Sequence, residues 1–349
     1  MKRNYNLDEK PEHILVTGGT GFIGTYLCKR LIETGHSVNV LDLFEPDSDL
    51  RSINFIKGDV RNPNAMRAAM EDCTAVFHLA AAHHDFGIQR ETYFSVNEIG
   101  SQVVCDTMDL YGIKRACFYS SVAVYGDAPD PHHEECVKLP TTAYGQSKLT
   151  AEEVFRRWAN QGQGRKALVI RPTNTFGPHN FANMYALIRQ IYLRRFIPVG
   201  NGQNVKSICY VENLVNASLC LWGYSDQPFD VYNYVDKPDL TSNQISEAIY
   251  VALERRVPQL RIPLWLALVL GLPFDIISTF TGLNLPVSTQ RIRKFADTQT
   301  RFEVEKLLKT GFQPEVSLTE GIRRMVEWYE TNGRHQPPIY RLPPNEVAF

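Results

Sequence analysis

Three groups of residues in this 349-residue sequence have types and spacings that could do chemistry. The first is residues 17–24, TGGTGFIG, whose glycines at 18, 21 and 24 fall between a short apolar run and a helical pattern. Gly18 allows a tight turn and Gly21 lets backbone approach a pyrophosphate. Gly24 allows close helix–strand packing, with the phosphates at the helix N-terminus. The second is Asp42, at the end of the next apolar run, whose carboxylate suits the hydroxyls of an adenosine ribose and repels a 2′-phosphate. No arginine follows it until Arg51, so NAD is favoured over NADP. The third is Tyr144 with Lys148, four apart on a predicted helix and therefore on one face. A tyrosine of pKa about 10 is a poor base at neutral pH. A neighbouring ammonium and a positive nicotinamide ring would stabilise its phenolate and pull that value down. Lys148 could also bind the nicotinamide ribose.

These residues need elements to hold them. Apolar runs at residues 13–17, 37–43, 54–57, 75–80, 116–121 and 167–171 read as buried strands. Helical patterns at 23–33, 65–71, 96–111 and 144–160 lie between them. Strands alternating with helices at this spacing predict a parallel sheet covered on both faces, a doubly wound α/β fold. Past Pro172 the alternation weakens: 182–195, 211–222 and 242–254 read as helices and 231–235 as a strand. The expected organisation is a dinucleotide-binding domain over residues 12–173, to which the strand near 231–235 returns. A smaller interleaved substrate lobe over 174–330 follows, then a loosely attached tail over 331–349, rich in proline and polar residues.

Composition excludes several classes. Net charge is −1, so no global basic field recruits nucleic acid. The seven cysteines are odd in number, scattered and without a C-x-x-C pair, which fits reduced thiols in a cytoplasmic protein. No carboxylate–histidine spacing of a zinc or iron site is present, so no metal is expected. Residues 1–11 lack the apolar core of a secretion signal, and no run of 18 apolar residues exists.

The G-x-x-G-x-x-G spacing, the stretch FYSSVAVYG at 118–126 and Tyr144-Gly145-Gln146-Ser147-Lys148 together resemble the extended short-chain dehydrogenase/reductases, over about residues 12–330. The resemblance implies a Rossmann sheet, NAD, and cofactor contacts from Thr20, Phe22 and Ile23 beside the three glycines. It places Asp59 and Val60 at the adenine, Leu79, Ala80 and Ala81 along the pyrophosphate, and Pro172 against the nicotinamide. Asn97 matches a helix asparagine of the family. Tyr144 becomes the acid/base, Lys148 its partner, and Ser121, with Ser120 the near alternative, the residue that aligns the reacting sugar oxygen. In RPTNTFGP (171–178), Asn174 would contact sugar or phosphate. Residues 200–211 resemble the family's phosphate-binding stretch, where an arginine usually stands in place of Lys206. Lysine keeps the charge but loses the bidentate fork, which Arg291 or Arg293 could supply unless they are solvated charges. His83 follows the fourth strand, and sites in such sheets lie at the carboxyl ends of strands; it is either a substrate contact or a hydrogen-bonded loop residue.

The segments 80–85 (AAAHHD), 231–240 (VYNYVDKPDL) and 291–295 (RIRKF), with the proline-interrupted apolar stretch 262–280, resemble more narrowly the N-acetylglucosaminyl-diphospho-undecaprenol 4-epimerases. This implies a diphosphate-linked sugar as substrate, on a polyprenyl or a UDP carrier, in surface-polysaccharide assembly. A UDP-sugar 4-epimerase, a 4-keto-sugar reductase and a non-catalytic dinucleotide-binding scaffold are the other readings. The uncharged residues 262–274 are too short to span a bilayer. They are either a buried helix or an element resting in an anionic leaflet, with Trp265 as anchor and Arg255, Arg256, Arg261, Arg291, Arg293 and Lys294 alongside. The expected location is the cytoplasm or the cytoplasmic face of the inner membrane, with a homodimer as one option.

Overall fold

The computed structural model describes residues 11–46, 50, 52–84, 87–128, 131–281, 289, 299–337 and 341–346. Seven strands make the main sheet: β1 (His13–Thr17), β2 (Ser37–Asp42), β3 (Asn54–Lys57), β4 (Ala75–His78), β5 (Arg115–Tyr119), β6 (Lys166–Pro172) and β10 (Phe229–Tyr234). Their order is β10-β6-β5-β4-β1-β2-β3 and every pairing is parallel. Side chains alternate across a strand, so the apolar runs divide between two cores. Ile14, Val16, Phe77, Cys117 and Ile170 join a core with helices α1 (Phe22–Glu33) and α7 (Val211–Tyr224). Leu15, Val76, Phe118 and Val169 join the opposite core with α2 (Pro63–Met70), α4 (Gly100–Tyr111) and α5 (Ala143–Asn160). The sheet is therefore covered on both faces, as the alternation in sequence predicts.

The chain between β6 and β10 leaves the sheet. It forms β7 (Asn174–Phe176), α6 (Asn183–Tyr192), β8 (Val205–Lys206) and β9 (Ile208–Tyr210). After β10 come β11 (Leu240–Thr241), α8 (Ser242–Ala252) and α9 (Leu264–Thr281). A third core joins Ile188, Ile249, Tyr210 and Phe176 to Ile322 and Trp328 of the helix Leu318–Thr331. The short strands β7, β8, β9 and β11 carry too few residues for a readable period. The predicted helix over 96–111 is in fact α3 (Arg90–Phe94), a π turn (Ser95–Ile99) and α4. All seven cysteines are free.

One buried polar cluster ties these layers together. Glu152 of α5 and Arg171 of β6 are 4% and 2% exposed and make a two-pronged pair, Nη2 to Oε2 at 2.6 Å and Nε to Oε1 at 2.8 Å. Arg171 also donates to the Tyr125 hydroxyl, which donates to Asn233 of β10. Removing one partner of such a pair strands a charge in a medium that cannot solvate it. Glu152→Ala should therefore lower the unfolding free energy by roughly 3–5 kcal/mol. Arg323→Ala, at an exposed pair with Glu320, should stay within about 1 kcal/mol of wild type. Urea denaturation of both variants checks this, and similar losses at the two positions would refute it.

Candidate active site

The glycine turn is shaped by contact distances. Gly18 has φ +71°, and a Cβ there would lie 2.6 Å from the Ala80 nitrogen. A Cβ on Gly24 would lie 2.3 Å from the Gly18 carbonyl oxygen, so α1 can approach the turn only with glycine. Gly21 is different: its Cβ would meet the Gly18 oxygen alone, at 3.1 Å, which leaves the face above it open. Gly21 also caps α1 with no side-chain hydrogen bond, so no capping side chain competes for the first-turn N–H groups, Phe22 and Ile23 among them. Open backbone donors at a helix N-terminus fit a diphosphate. Asp42, at the end of β2, accepts from the Thr20 and Phe44 amides at 3.1 and 3.2 Å, which sets its carboxylate at the rim of the turn. Thr173, between Pro172 and Asn174, has a buried hydroxyl with no partner among the described residues. These features fit a dinucleotide.

Tyr144 lies in the first turn of α5, with its ring 6.5 Å from that of Tyr93. Thr142 caps this helix by accepting from the Gly145 amide at 3.0 Å. A Cβ on Gly145 would lie 2.4 Å from the Ala123 carbonyl oxygen. Glycine at 145 thus lets α5 touch the turn Val122–Val124, which Ser121 caps by accepting from the Ala123 amide at 3.1 Å. That contact sets the turn capped by Ser121 against the start of the helix that carries Tyr144. The two candidate serines separate cleanly: Ser120 is buried and donates to Glu152, whereas Ser121 is part-exposed beside the helix start.

A continuous polar chain links the glycine turn to Tyr144. The Thr17 hydroxyl accepts from the Ala80 amide and lies 2.6 Å from His78 Nδ1; His78 Nε2 lies 3.2 Å from the Ser101 hydroxyl. Ser101 donates to the Asn97 carbonyl. Asn97 itself accepts from the Ala82 amide at 2.8 Å and donates to the Ser147 hydroxyl at 2.8 Å, and Ser147 donates to the Tyr144 carbonyl. Those directions assign the proton of His78 to Nε2. Burial, with Lys148 adding repulsion, lowers His78 to about 3, so it stays neutral. Lys148 is 2% exposed, donates to the Tyr119 carbonyl at 2.6 Å and stands 4.6 Å from the centre of the Phe118 ring. Burial pulls its ammonium down to about 7, against the opposing pull of Glu152.

The other candidates lie around this centre. His83 is exposed, with Nδ1 3.3 Å from the Ala81 carbonyl oxygen, in the loop whose His84 carbonyl accepts from Tyr93. Leu79, Ala80 and Ala81 continue β4 past the turn. Asp59 and Val60 are buried at the end of β3, with Asp59 paired to Arg61 at 2.7 Å. Pro172 ends β6; Asn174 is exposed on β7 and aligned with Ile208, two residues from Lys206 on β8. Arg291, Arg293 and Lys294 lie outside the described residues. The sequence alone assigns no role to Gly145, His78, Glu152 or Arg171, although Gly145 and Arg171 fall within the quoted motifs. Only Gly145 had a readable signal, a glycine inside a predicted helix.

An open parallel sheet, a glycine turn ready for a diphosphate, and a tyrosine–lysine helix beside it define an NAD-dependent enzyme of the extended short-chain dehydrogenase/reductase fold. The chain belongs to the NAD dependent epimerase/dehydratase family, whose pattern matches residues 14–233. It is 36% identical over 322 residues to an N-acetyl-α-D-glucosaminyl-diphospho-ditrans,octacis-undecaprenol 4-epimerase of Escherichia coli O157:H7, covering 91% of this chain and 95% of the relative. It is 26% identical to a UDP-glucose 4-epimerase of Vibrio cholerae, over 93% of this chain and 98% of that one. Among solved structures, UDP-glucose 4-epimerase of Thermotoga maritima with UDP-glucose superposes with a TM-score of 0.72 at 25% identity, covering 91% and 98% of the two chains.

Lys148 gives a pH test. Its value is lowered from 10.5 to about 7 in the folded chain. Between those limits the unfolded chain holds a proton that the folded chain has released, so its contribution to stability rises with pH across that window. The stability of nucleotide-free wild type relative to Lys148→Met should therefore climb from about pH 7 toward pH 10. A difference that is flat or falls would refute it.

Proposed function

We propose that the protein is a 4-epimerase of an N-acetylhexosamine carried on polyprenyl diphosphate, interconverting the gluco and galacto forms in surface-polysaccharide assembly. The observation that carries this reading is the 36% identity, over nearly the full length of both chains, to an epimerase named for such a substrate. NAD, when bound, supplies an acceptor that takes the C4 hydride and returns it to the other face of the sugar. The chain's own residues do the rest. Tyr144 takes the C4 hydroxyl proton as the hydride leaves and gives it back when the hydride returns. Ser121 hydrogen-bonds the same oxygen and aligns it. Lys148, as the ammonium, stabilises the tyrosine's phenolate, and the Glu152 carboxylate favours that charged form. Asp42 accepts from the adenosine ribose. Lys206 and Arg291 meet the substrate diphosphate, and His83 and Asn174 the sugar, which pivots about that anchor between the two hydride transfers.

Helix α9 supports the lipid carrier. Trp265, Val269, Leu270 and Leu272 are 67%, 53%, 56% and 52% exposed, while Ala267 and Gly271 face inward. A helix apolar on its outer face, with Trp at one end, suits the headgroup boundary of a membrane. No helix among the described residues is long and apolar enough to cross one. Of the flanking cations, Arg255 is spent on the Ile191 and Tyr192 carbonyls and Arg261 on Asn243. Arg256 is exposed and available to anionic lipid, worth about 1 kcal/mol near the surface. The protein would thus dock on the cytoplasmic face of the membrane.

Two measurements test this reading. Incubation with polyprenyl-diphosphate N-acetylglucosamine should give the galacto epimer, and Tyr144→Phe should lower that turnover by roughly 10²–10⁴ with NAD retained. Ser121→Ala should lower it more than any change in Ser120 that leaves the fold intact. Conversion of UDP-N-acetylglucosamine alone would favour the soluble-carrier epimerase instead. The protein should also float with anionic liposomes, and Trp265→Glu/Leu272→Glu should abolish flotation and reduce activity on the lipid-linked sugar only. A wild-type protein that never floats would refute the membrane half.

A further inference from the structure

Residues 341–346, beyond the helix Leu318–Thr331, lie against the dinucleotide-binding half, far in sequence from the residues they touch. Arg341 Nη1 donates to the Thr20 carbonyl and lies 2.7 Å from the Thr20 hydroxyl, and its guanidinium stands 5.6 Å from the centre of the Phe44 ring. Thr20 is in the glycine turn, and its amide is one of the two that donate to Asp42. Further along, the Pro344 and Asn345 carbonyls accept from Arg61 at 2.8 and 3.3 Å, and the Thr92 hydroxyl donates to the Asn345 side chain at 2.8 Å. Arg61 is the buried partner of Asp59. The tail therefore runs from the Thr20–Asp42 rim to the Asp59–Arg61 turn, the two sides of the place where the adenosine half of a dinucleotide belongs.

We propose that residues 341–346 form a strap across the adenosine half of the NAD site, and that Arg341 is a cofactor-retaining residue. The contacts are those of a built element: a buried guanidinium spends two of its donors on tail carbonyls, and those donors would otherwise be left under-satisfied. Arg341 reaches both Thr20 oxygens through one nitrogen, and a guanidinium carries five N–H donors, so this does not exhaust its capacity for ribose or phosphate oxygens. An enzyme that returns its hydride within each cycle gains from holding NAD between turnovers. The strap itself requires only the family's cofactor, not the sugar or carrier proposed above.

The test reads nucleotide binding rather than turnover. Full-length protein, a chain ending at Gln336 and full-length Arg341→Ala are stripped of nucleotide and titrated calorimetrically with NAD and with ADP-ribose. Both variants should bind each ligand about tenfold more weakly or worse, the worth of a hydrogen bond to a charged group, and lose NAD faster on desalting. The loss should be equal for the two ligands, because the strap touches only the adenosine end. The amides of Arg341, Leu342, Asn345 and Glu346 should exchange more slowly once NAD is added to the full chain. Unchanged affinity, or tighter NAD binding by the shortened chain, would overturn the proposal, the latter making the tail a competitor. So would a loss confined to NADP in Arg341→Ala. Should the shortened chain fail to fold, Arg341→Ala decides alone.

Discussion

The buried pair between Glu152 and Arg171 sets the separation between helix α5 and the carboxyl ends of β5 and β6. Its carboxylate takes two arginine nitrogens and the Ser120 hydroxyl, so one group reaches a helix, a strand and the loop entering the serine turn. Arg171 then reaches Tyr125, which reaches Asn233 on the edge strand. Burying two charges is not a cheap source of stability, because desolvation offsets most of the attraction. What it provides is a single geometry. An apolar pair could slide by an ångström at little cost, whereas a two-pronged charged contact in a dry interior cannot. The turn that follows Ser120 and the helix that carries Tyr144 are both anchored on that contact.

The same dry interior gives the surrounding ionisable groups their character. His78 is kept neutral by burial and serves as a hydrogen-bonded spacer between the glycine turn and the helix asparagine. Lys148 is shifted by the same cause: burial pulls its ammonium down to about 7, against the pull of Glu152, while it donates to the Tyr119 carbonyl beside the Phe118 ring. Asn97 closes both loops onto each other, satisfying the amide and carbonyl of Ala82 with one side chain. An unbroken run of hydrogen bonds therefore joins the glycine turn to the Tyr144 carbonyl.

Much of this was legible in the sequence because the signals are local. The glycine turn, the Tyr144–Lys148 spacing and the strand–helix alternation are each read from neighbouring residues, and the parallel, doubly wound sheet follows from the alternation. What was not legible depends on partners far apart in the chain. Nothing local distinguishes Ser120 from Ser121; the difference is Glu152, thirty-two residues on. A proline-rich tail reads as loose, and only the fold shows that residues 341–346 meet Thr20 and Arg61. The absence of an arginine after Asp42 was a sound reading of the chain order, yet the fold brings Arg341 to the neighbouring Thr20. The uncharged stretch after Ile262 could not be assigned a side, since period alone does not say which face is covered.

The outermost place of β10 has a bearing on how this architecture can be divided. Its partner β6 ends the continuous run of alternating strands and helices, but the edge is completed only after the chain has built most of the second lobe. A fragment stopping at Pro172 would carry every residue of the glycine turn and of the tyrosine–lysine helix. It would also leave the β10-facing edge of Ala167–Pro172 unpaired, flanked by side chains that are buried in the whole molecule, and such an edge recruits other chains. The bond from the Tyr125 hydroxyl to Asn233 would be lost with it. The nucleotide half is thus not a transplantable module: its last strand is lent by the lobe it serves, and the two must be inherited together.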